Sequence, residues 1–183
     1  SIYLIGRFGV FGTRPMERTE RGGLWSGPDF VLKNLPETLE SGDFTHQGFA
    51  FFAGVLSVSK ILVVQKQDGV RVLLDLGHPR APVVQLLVNG AEQKTFLWAP
   101  YVCDITDSVK NGGNKIELRL YASNRNLLGP HHNLQGELYG VAPQSFIGRY
   151  NWADRVSESE ELVRSFTYRD FWTDDESFVT FGI

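Results

Sequence analysis

A chain of 183 residues is long enough for one sizeable hydrophobic core, and with 42% hydrophobic and 21% charged residues its composition is that of an ordinary globular domain. No apolar run reaches the roughly 18 to 20 residues of a membrane helix, which excludes a spanning helix and a membrane partner of that kind. A net charge of −3, with Lys and Arg scattered singly, excludes the basic footprint of nucleic-acid binding, and the single cysteine, Cys103, excludes a disulfide framework and a multi-cysteine zinc site.

The chain opens at Ser1 on the apolar stretch Ile2 to Ile5, with no basic segment ahead of it, and reads as part of a longer polypeptide whose compartment is left open. The dominant pattern along it is period two, punctuated by turns about every ten residues, as in sandwiches and jelly rolls. Strands are expected at Ile2 to Phe8, at Phe30 to Lys33, and over the aromatic stretch Gly48 to Gly54 running on to Leu56 and Val58. Arg14 to Pro28, rich in Gly and charge, is expected as a surface loop. Asp68-Gly69 suits a tight hairpin between Ile61 to Lys66 and Val70 to Leu76. Two prolines make 77–82 a loop, because each removes a ladder donor. Asn89-Gly90 then predicts a second hairpin, between Val83 to Val88 and Gln93 to Trp98. Tyr101 to Ile105 follows, then a turn at 111–114, then the cleanest strand of all. In Lys115 to Tyr121, Ile116, Leu118 and Leu120 share one face while Lys115, Glu117 and Arg119 share the other. Asp154 to Arg164 carries the one helical pattern, and Phe178 to Ile183 ends the chain as a strand. No repeat or composition break divides the chain, so residues 1–183 are expected to form a single domain.

In order along the chain stand Val88-Asn89-Gly90, Trp98-Ala99-Pro100, Asp104-Ile105-Thr106 and Gly113-Asn114, followed by the strand Lys115 to Leu120. This succession resembles the galactose-binding-like β-sandwich (jelly-roll) domains of bacterial glycoside hydrolases, especially the sugar-binding domain of family-two-type enzymes. Gly42 to Gly48, Phe51 to Gly54, Asn126 to His132 and the ending Phe178 to Ile183 are similar to a C-terminal domain of uncharacterised glycosyl hydrolases. The resemblance implies an all-β jelly-roll fold and a non-catalytic role, either carbohydrate binding or packing beside a catalytic barrel. One fold hosts many functions, so it does not choose between them.

Sugar recognition uses flat aromatic faces and a few placed polar groups. Phe49, Phe51, Phe52 and Phe181 lie in strand-like runs and are assigned to the core, whereas Trp25, Trp152 and Trp172 stand in polar, turn-like surroundings and are candidate platforms. The segment Ser123 to Gly140 holds the candidate polar contacts Asn124, Arg125, Asn126, His131, His132, Asn133, Gln135 and Glu137 on what is expected to be a long loop. Docking of that loop on a neighbouring domain is the competing role. Adjacent histidines in an extended chain point opposite ways, which makes His131 and His132 a poor metal pair, and no loop has EF-hand spacing. No metal and no cofactor are expected.

Independent glycoside hydrolysis needs two carboxyl groups in one cleft, about 5 to 9.5 Å apart depending on stereochemistry. Glu117 stands alone on its strand, and Asp174, Asp175 and Glu176 are expected as a solvated turn. There is no Gly-x-Ser-x-Gly elbow or phosphate loop, and Cys103 is expected to be a buried, inert thiol. The reading is therefore a carbohydrate-binding or accessory domain whose partners are glycan and the catalytic domain of its parent. A purely structural domain is the alternative, and a small independent glycosidase a third and lesser one.

Overall fold

Strand alternation decides where the chain hydrogen-bonds. The computed structural model describes residues 4–19, 22–129, 131–132 and 173–183. In chain order these form β1 (Gly9–Gly12), β2 (Glu17–Arg18), β3 (Leu24–Ser26), β4 (Phe30–Lys33), a 3₁₀ turn (Thr45–Gln47), β5 (Val55–Val64), β6 (Leu73–Asp75), β7 (Val83–Val88) and β8 (Ala91–Phe96). They continue with β9 (Val102–Asp104), β10 (Gly112–Tyr121), the single-turn helix α1 (Arg125–Leu128) and β11 (Glu176–Phe178). Apart from these two short turns of helix, the described residues are all-β and of sandwich type, as the period-two pattern predicts. Its residues group into two units, one of Ser1–Leu39, Thr45–Phe51 and Asn124–Thr180, the other of Glu40–Phe44, Phe52–Ser123 and Phe181–Ile183.

The second of these units is built on an antiparallel four-stranded sheet of order β5-β10-β7-β8. On β10, Ile116, Leu118 and Leu120 are buried and lie directly opposite Val88, Leu86 and Val84 of β7, all buried as well. Each such aliphatic side chain contributes about 1.5–3 kcal/mol through the apolar area it withdraws from water. The β7–β8 hairpin turns at Asn89 (φ 51°) and Gly90 (φ 87°), the two positive values of a type I′ turn. Beside it Asn114 is wholly buried, and its side chain ties Asn89, Lys110 and Gly112 together. A two-stranded β6–β9 ladder lies over the inner face, where the Lys94 Nζ donates to the Val102 carbonyl at 2.9 Å and the Phe96 and Tyr101 rings are 5.9 Å apart. The chain's last residues close this unit. Gly182 bridges to Asp43 and to Arg80, and the Phe44 amide donates to the Phe181 carbonyl at 2.6 Å.

In the other unit, β11, β3 and β2 form a three-stranded sheet, with β1 and β4 paired separately. Buried Leu24, Ala50 and Phe178 make its core, with Met16, Phe30 and Phe51 packed against them. The Phe178 ring meets those of Phe51 and Phe30 edge-on at 4.9 and 6.0 Å, the arrangement aromatic quadrupoles favour.

Several expected elements differ. Asp68-Gly69 does form a turn, closed by the Val70 amide on the Gln67 carbonyl, but no hairpin. Ile61 to Val64 pairs with the start of β10, and Leu73–Asp75 pairs with β9, because those partners align longer or better-buried faces than the two flanks of the turn offer each other. Gly48 to Gly54 is turn and irregular chain with an isolated bridge, from Phe49 to Val10, and the strand begins only at Val55. Residues 4–8 are outside any strand, with pairing starting at Gly9. Arg14 to Pro28 is more than a loop, since it contains β2 and β3 with Leu24 and Ser26 buried. At the far end, β11 occupies Glu176–Phe178, upstream of the expected position, and Phe181 to Ile183 forms no named strand, pairing instead through the Gly182 bridges and the backbone hydrogen bonds of Phe181 and Ile183 to Phe44 and Gly42. The 111–114 turn is absorbed into the start of β10, and Asp154 to Arg164 lies outside the described residues.

Candidate functional site

The segment singled out for polar contacts leaves β10 at Tyr121 and turns at once into α1, which the sequence pattern did not foresee. Asn124 precedes the helix, exposed, and its carbonyl accepts the Leu127 and Leu128 amides. Arg125 and Asn126 point the other way and are buried. The Asn126 amide group donates to the Val179 carbonyl at 2.9 Å and accepts the Val179 amide at 2.8 Å, a reciprocal pair that mimics a strand partner. Arg125 reaches the Ser177 carbonyl and hydroxyl, each at 3.4 Å. Two of the candidate contacts are thus spent internally, Arg125 on β11 and Asn126 on the residue that follows it.

His131 and His132 run beside the same strand. The Ser177 amide donates to the His131 carbonyl at 2.7 Å, and the Thr173 amide to the His132 carbonyl at 3.3 Å. The His131 ring sits 5.5 Å from both the Phe51 and Phe178 rings, with its Nδ1 3.3 Å from the Ser177 carbonyl and 3.6 Å from one Glu176 oxygen. The other Glu176 oxygen lies 3.6 Å from the His132 Nε2. Glu176 therefore stands between two imidazoles, a correction to the solvated acidic turn expected there. Burial holds the His131 pKa below its ordinary value of 6.5, with nearby Arg125 acting in the same direction and Glu176 against it. At neutral pH the imidazole is neutral and serves as a wedge and hydrogen-bonding group. Among the described residues no group of three His, Cys, Asp or Glu side chains has a geometry that holds a metal ion.

Trp25 lies on β3 opposite Ser177 and Glu17, half-buried, with its indole Nε1 buried and lacking a hydrogen-bond partner. Asn133, Gln135, Glu137, Trp152 and Trp172 lie outside the described residues. An exposed tryptophan does exist, at Trp98 between β8 and β9, where 73% of its surface is accessible. Its place at the end of the expected strand Gln93 to Trp98 gives no sign in the sequence that it is exposed.

Glu117, alone among acids on its strand as expected, is the hub of a polar group on the outer face of the four-stranded sheet. It accepts Lys115 Nζ and Arg119 Nε, both at 3.1 Å, and the Ser57 hydroxyl at 3.0 Å, while Arg119 Nη1 donates to Gln85 at 3.3 Å. The Lys115 contact is the largest cause of its lowered pKa, followed by Ser57 and Arg119. Cys103 is buried and unpaired with another cysteine.

Among the described residues the chain is almost wholly β, and in sequence part of it is similar to a small part of a glycoside hydrolase. No protein-family profile matches it. Over 78 residues, 41% of the chain, it is 32% identical to a protein assigned as a β-glucuronidase in Formosa agariphila, and the match spans only 7% of that protein. Among solved structures it is similar to a rhamnosidase from Novosphingobium sp. PP1Y, with a TM-score of 0.41 and 22% identity over 80% of this chain and 13% of that one. A β-D-glucuronidase from Dictyoglomus thermophilum gives a TM-score of 0.36 at 19% identity, over 78% of this chain and 24% of that one.

Proposed function

We propose that the chain is a non-catalytic accessory domain of a larger glycoside hydrolase, of the galactose-binding-like jelly-roll type, and that it binds carbohydrate. The observation that carries this reading is the match to the assigned β-glucuronidase, where similarity is confined to 7% of the relative's length. A segment that small is the size of a module beside a catalytic domain. The ordered succession from Asn89-Gly90 through Asp104-Ile105-Thr106 to the β10 strand supports the same family of domains. The chain alternates between the two units at 39/40, 44/45, 51/52, 123/124 and 180/181, so neither is a contiguous stretch, which favours treating 1–183 as one domain. Asn124 and His132 keep accessible surface and are the proposed sugar contacts of the 124–132 segment.

The second reading, a structural domain that packs against the catalytic part without touching sugar, is favoured by Arg125 and Asn126, whose polar groups are turned to β11 and the residue that follows it. An NMR titration of the ¹⁵N-labelled chain with a broad glycan panel decides between them. Saturable shifts support carbohydrate binding, and a panel without any shift sinks it. Turnover of aryl glycosides by the pure chain would overturn the non-catalytic assignment.

A further inference from the structure

The register of the four-stranded sheet places two unlike rows side by side on its outer face. Tyr121 stands directly between Val83 and Val55, and one pleat away Arg119 stands directly between Gln85 and Ser57. Gln85 in turn faces Thr95 of β8. An apolar row thus runs across the strands next to a row of hydrogen-bonding groups, and beyond the latter come Glu117 and Lys115. On the far margin Ile61 and Val63 are 61% and 77% exposed, and Val55 on the near margin is 50% exposed. Four strands at about 4.8 Å spacing make the strip about 14 Å long.

We infer that this strip is a second glycan contact surface, taking a short neutral oligosaccharide laid across the strands; the inference deepens the carbohydrate-binding reading and rests on it. The arrangement of charge selects the occupant. Protein interfaces place apolar groups at the centre and charge at the rim, depleting Lys and Glu from the middle. Here the exposed groups are ordered the other way: Ser57, Glu117, Arg119 and Gln85 occupy the centre over Leu87, which faces Glu117 and is only 6% exposed, and Val55, Tyr121, Ile61 and Val63 stand at the margins. The two cations, Lys115 and Arg119, are matched by the two carboxylates of Glu117 and Glu92 on the same face, so the strip carries no net field for a polyanion. What it offers is donors and acceptors held in fixed pairs. Arg119 spends Nε on Glu117 and Nη1 on Gln85, which locks the guanidinium plane and leaves Nη2 outside both bonds; Lys115 uses one of its three donors on Glu117. Vicinal hydroxyls match such pairs, and the C–H face of a pyranose matches the Tyr121 row. The groups sit on strands rather than loops, so little ordering opposes binding.

The test is an NMR titration of the intact ¹⁵N-labelled chain with neutral gluco-, galacto-, xylo- and rhamno-configured tetrasaccharides, and with a uronic-acid tetrasaccharide for comparison. At least one neutral sugar is expected to shift the amides of Ser57, Gln85, Glu117, Arg119 and Tyr121, with the uronic-acid sugar no tighter. Tyr121→Ala and Arg119→Gln are each expected to weaken that sugar at least about fivefold while the dispersed spectrum persists; Gln85→Ala, a milder change, serves if either variant unfolds. Shifts confined to 124–132 would overturn the strip while upholding carbohydrate binding, and silence across the panel would overturn both. Preference for the uronic-acid sugar, or shifts on the strip from protein concentration alone, would overturn the neutral-glycan assignment.

Discussion

Asn114 has no exposed surface and employs its whole side-chain amide: Oδ1 accepts Asn89 Nδ2 and the Lys110 amide, and Nδ2 donates to the Lys110 and Gly112 carbonyls, all between 2.8 and 3.0 Å. One side chain therefore pins the β7–β8 turn to the start of β10. Asn114→Ala removes four hydrogen bonds made from a wholly buried side chain, and a loss of about 2–4 kcal/mol in urea unfolding is expected. A shift in the denaturation midpoint corresponding to less than about 0.5 kcal/mol would show that the post is dispensable. Asp104 illustrates a local effect of another kind. The Thr106 hydroxyl and then the Thr106 amide hydrogen-bond its carboxylate, and Arg71 adds to them, holding its pKa down to about 2 from 3.8. The Asx-type turn was legible in Asp104-Ile105-Thr106, because an Asp side chain bonding two residues on is a sequence-local event. Thr106→Val removes the leading cause, and an NMR titration of the Asp104 carboxyl is expected to return its pKa toward 3.8; an unchanged midpoint would assign the depression to Arg71 instead.

Between elements, the sequence was legible where pairing partners are neighbours and opaque where they are not. Asn89-Gly90 fixed the β7–β8 hairpin, since positive φ at both positions is demanded by the turn itself. Asp68-Gly69 made the same local promise, but β5 found β10 some fifty residues on, a choice set by burial of Ile116, Leu118 and Leu120 and not by the turn. Long-range packing also hides β11, which contains a single apolar residue, Phe178, at its end. Its partners and those of Val179 just after it are β3, Arg125, Asn126 and His131, spread from residue 24 to residue 131. Because the His131 pKa is lowered on folding, the unfolded chain binds the proton more readily. Stability from this group is complete above about pH 6.5 and is lost as pH falls through the lower folded value. Urea midpoints measured from pH 7.5 down to 5 are expected to decline less steeply in His131→Gln than in the parent, and parallel curves would remove His131 from the account. At the chain's end Gly182 has φ 152°, and a Cβ there would stand 1.9 Å from the Gly42 carbonyl oxygen and 3.0 Å from the Phe44 amide nitrogen. The clash is with backbone on both sides, so Gly182→Ala is expected to cost more than about 2 kcal/mol and to expose the Gly42 and Phe44 amides to hydrogen exchange. Wild-type protection at those amides would mean that the end of the chain repacks.

For the molecule as a whole, the candidate site was less legible than the scaffold, for a physical reason. Scaffold motifs act through φ angles and short hydrogen bonds, whereas the proposed contact strip draws on residues 57, 85, 119 and 121, which only the strand register brings side by side. Polar residues clustered in sequence, such as Arg125 and Asn126, proved to be spent on internal contacts. A shallow platform with few polar groups leaves little binding free energy after ordering, and dissociation constants from millimolar to micromolar, about −4 to −8 kcal/mol, are expected. A ligand that binds only the folded chain stabilises it by RT ln(1 + [L]/Kd), about 1.4 kcal/mol at ten times Kd. In a chain of this size that raises Tm by about 3–6 °C. Scanning calorimetry with neutral tetrasaccharides at tens of millimolar is therefore expected to show such a rise for at least one sugar configuration, and the rise is expected to vanish in Tyr121→Ala. A Tm that stays fixed for every sugar would overturn the proposed carbohydrate binding.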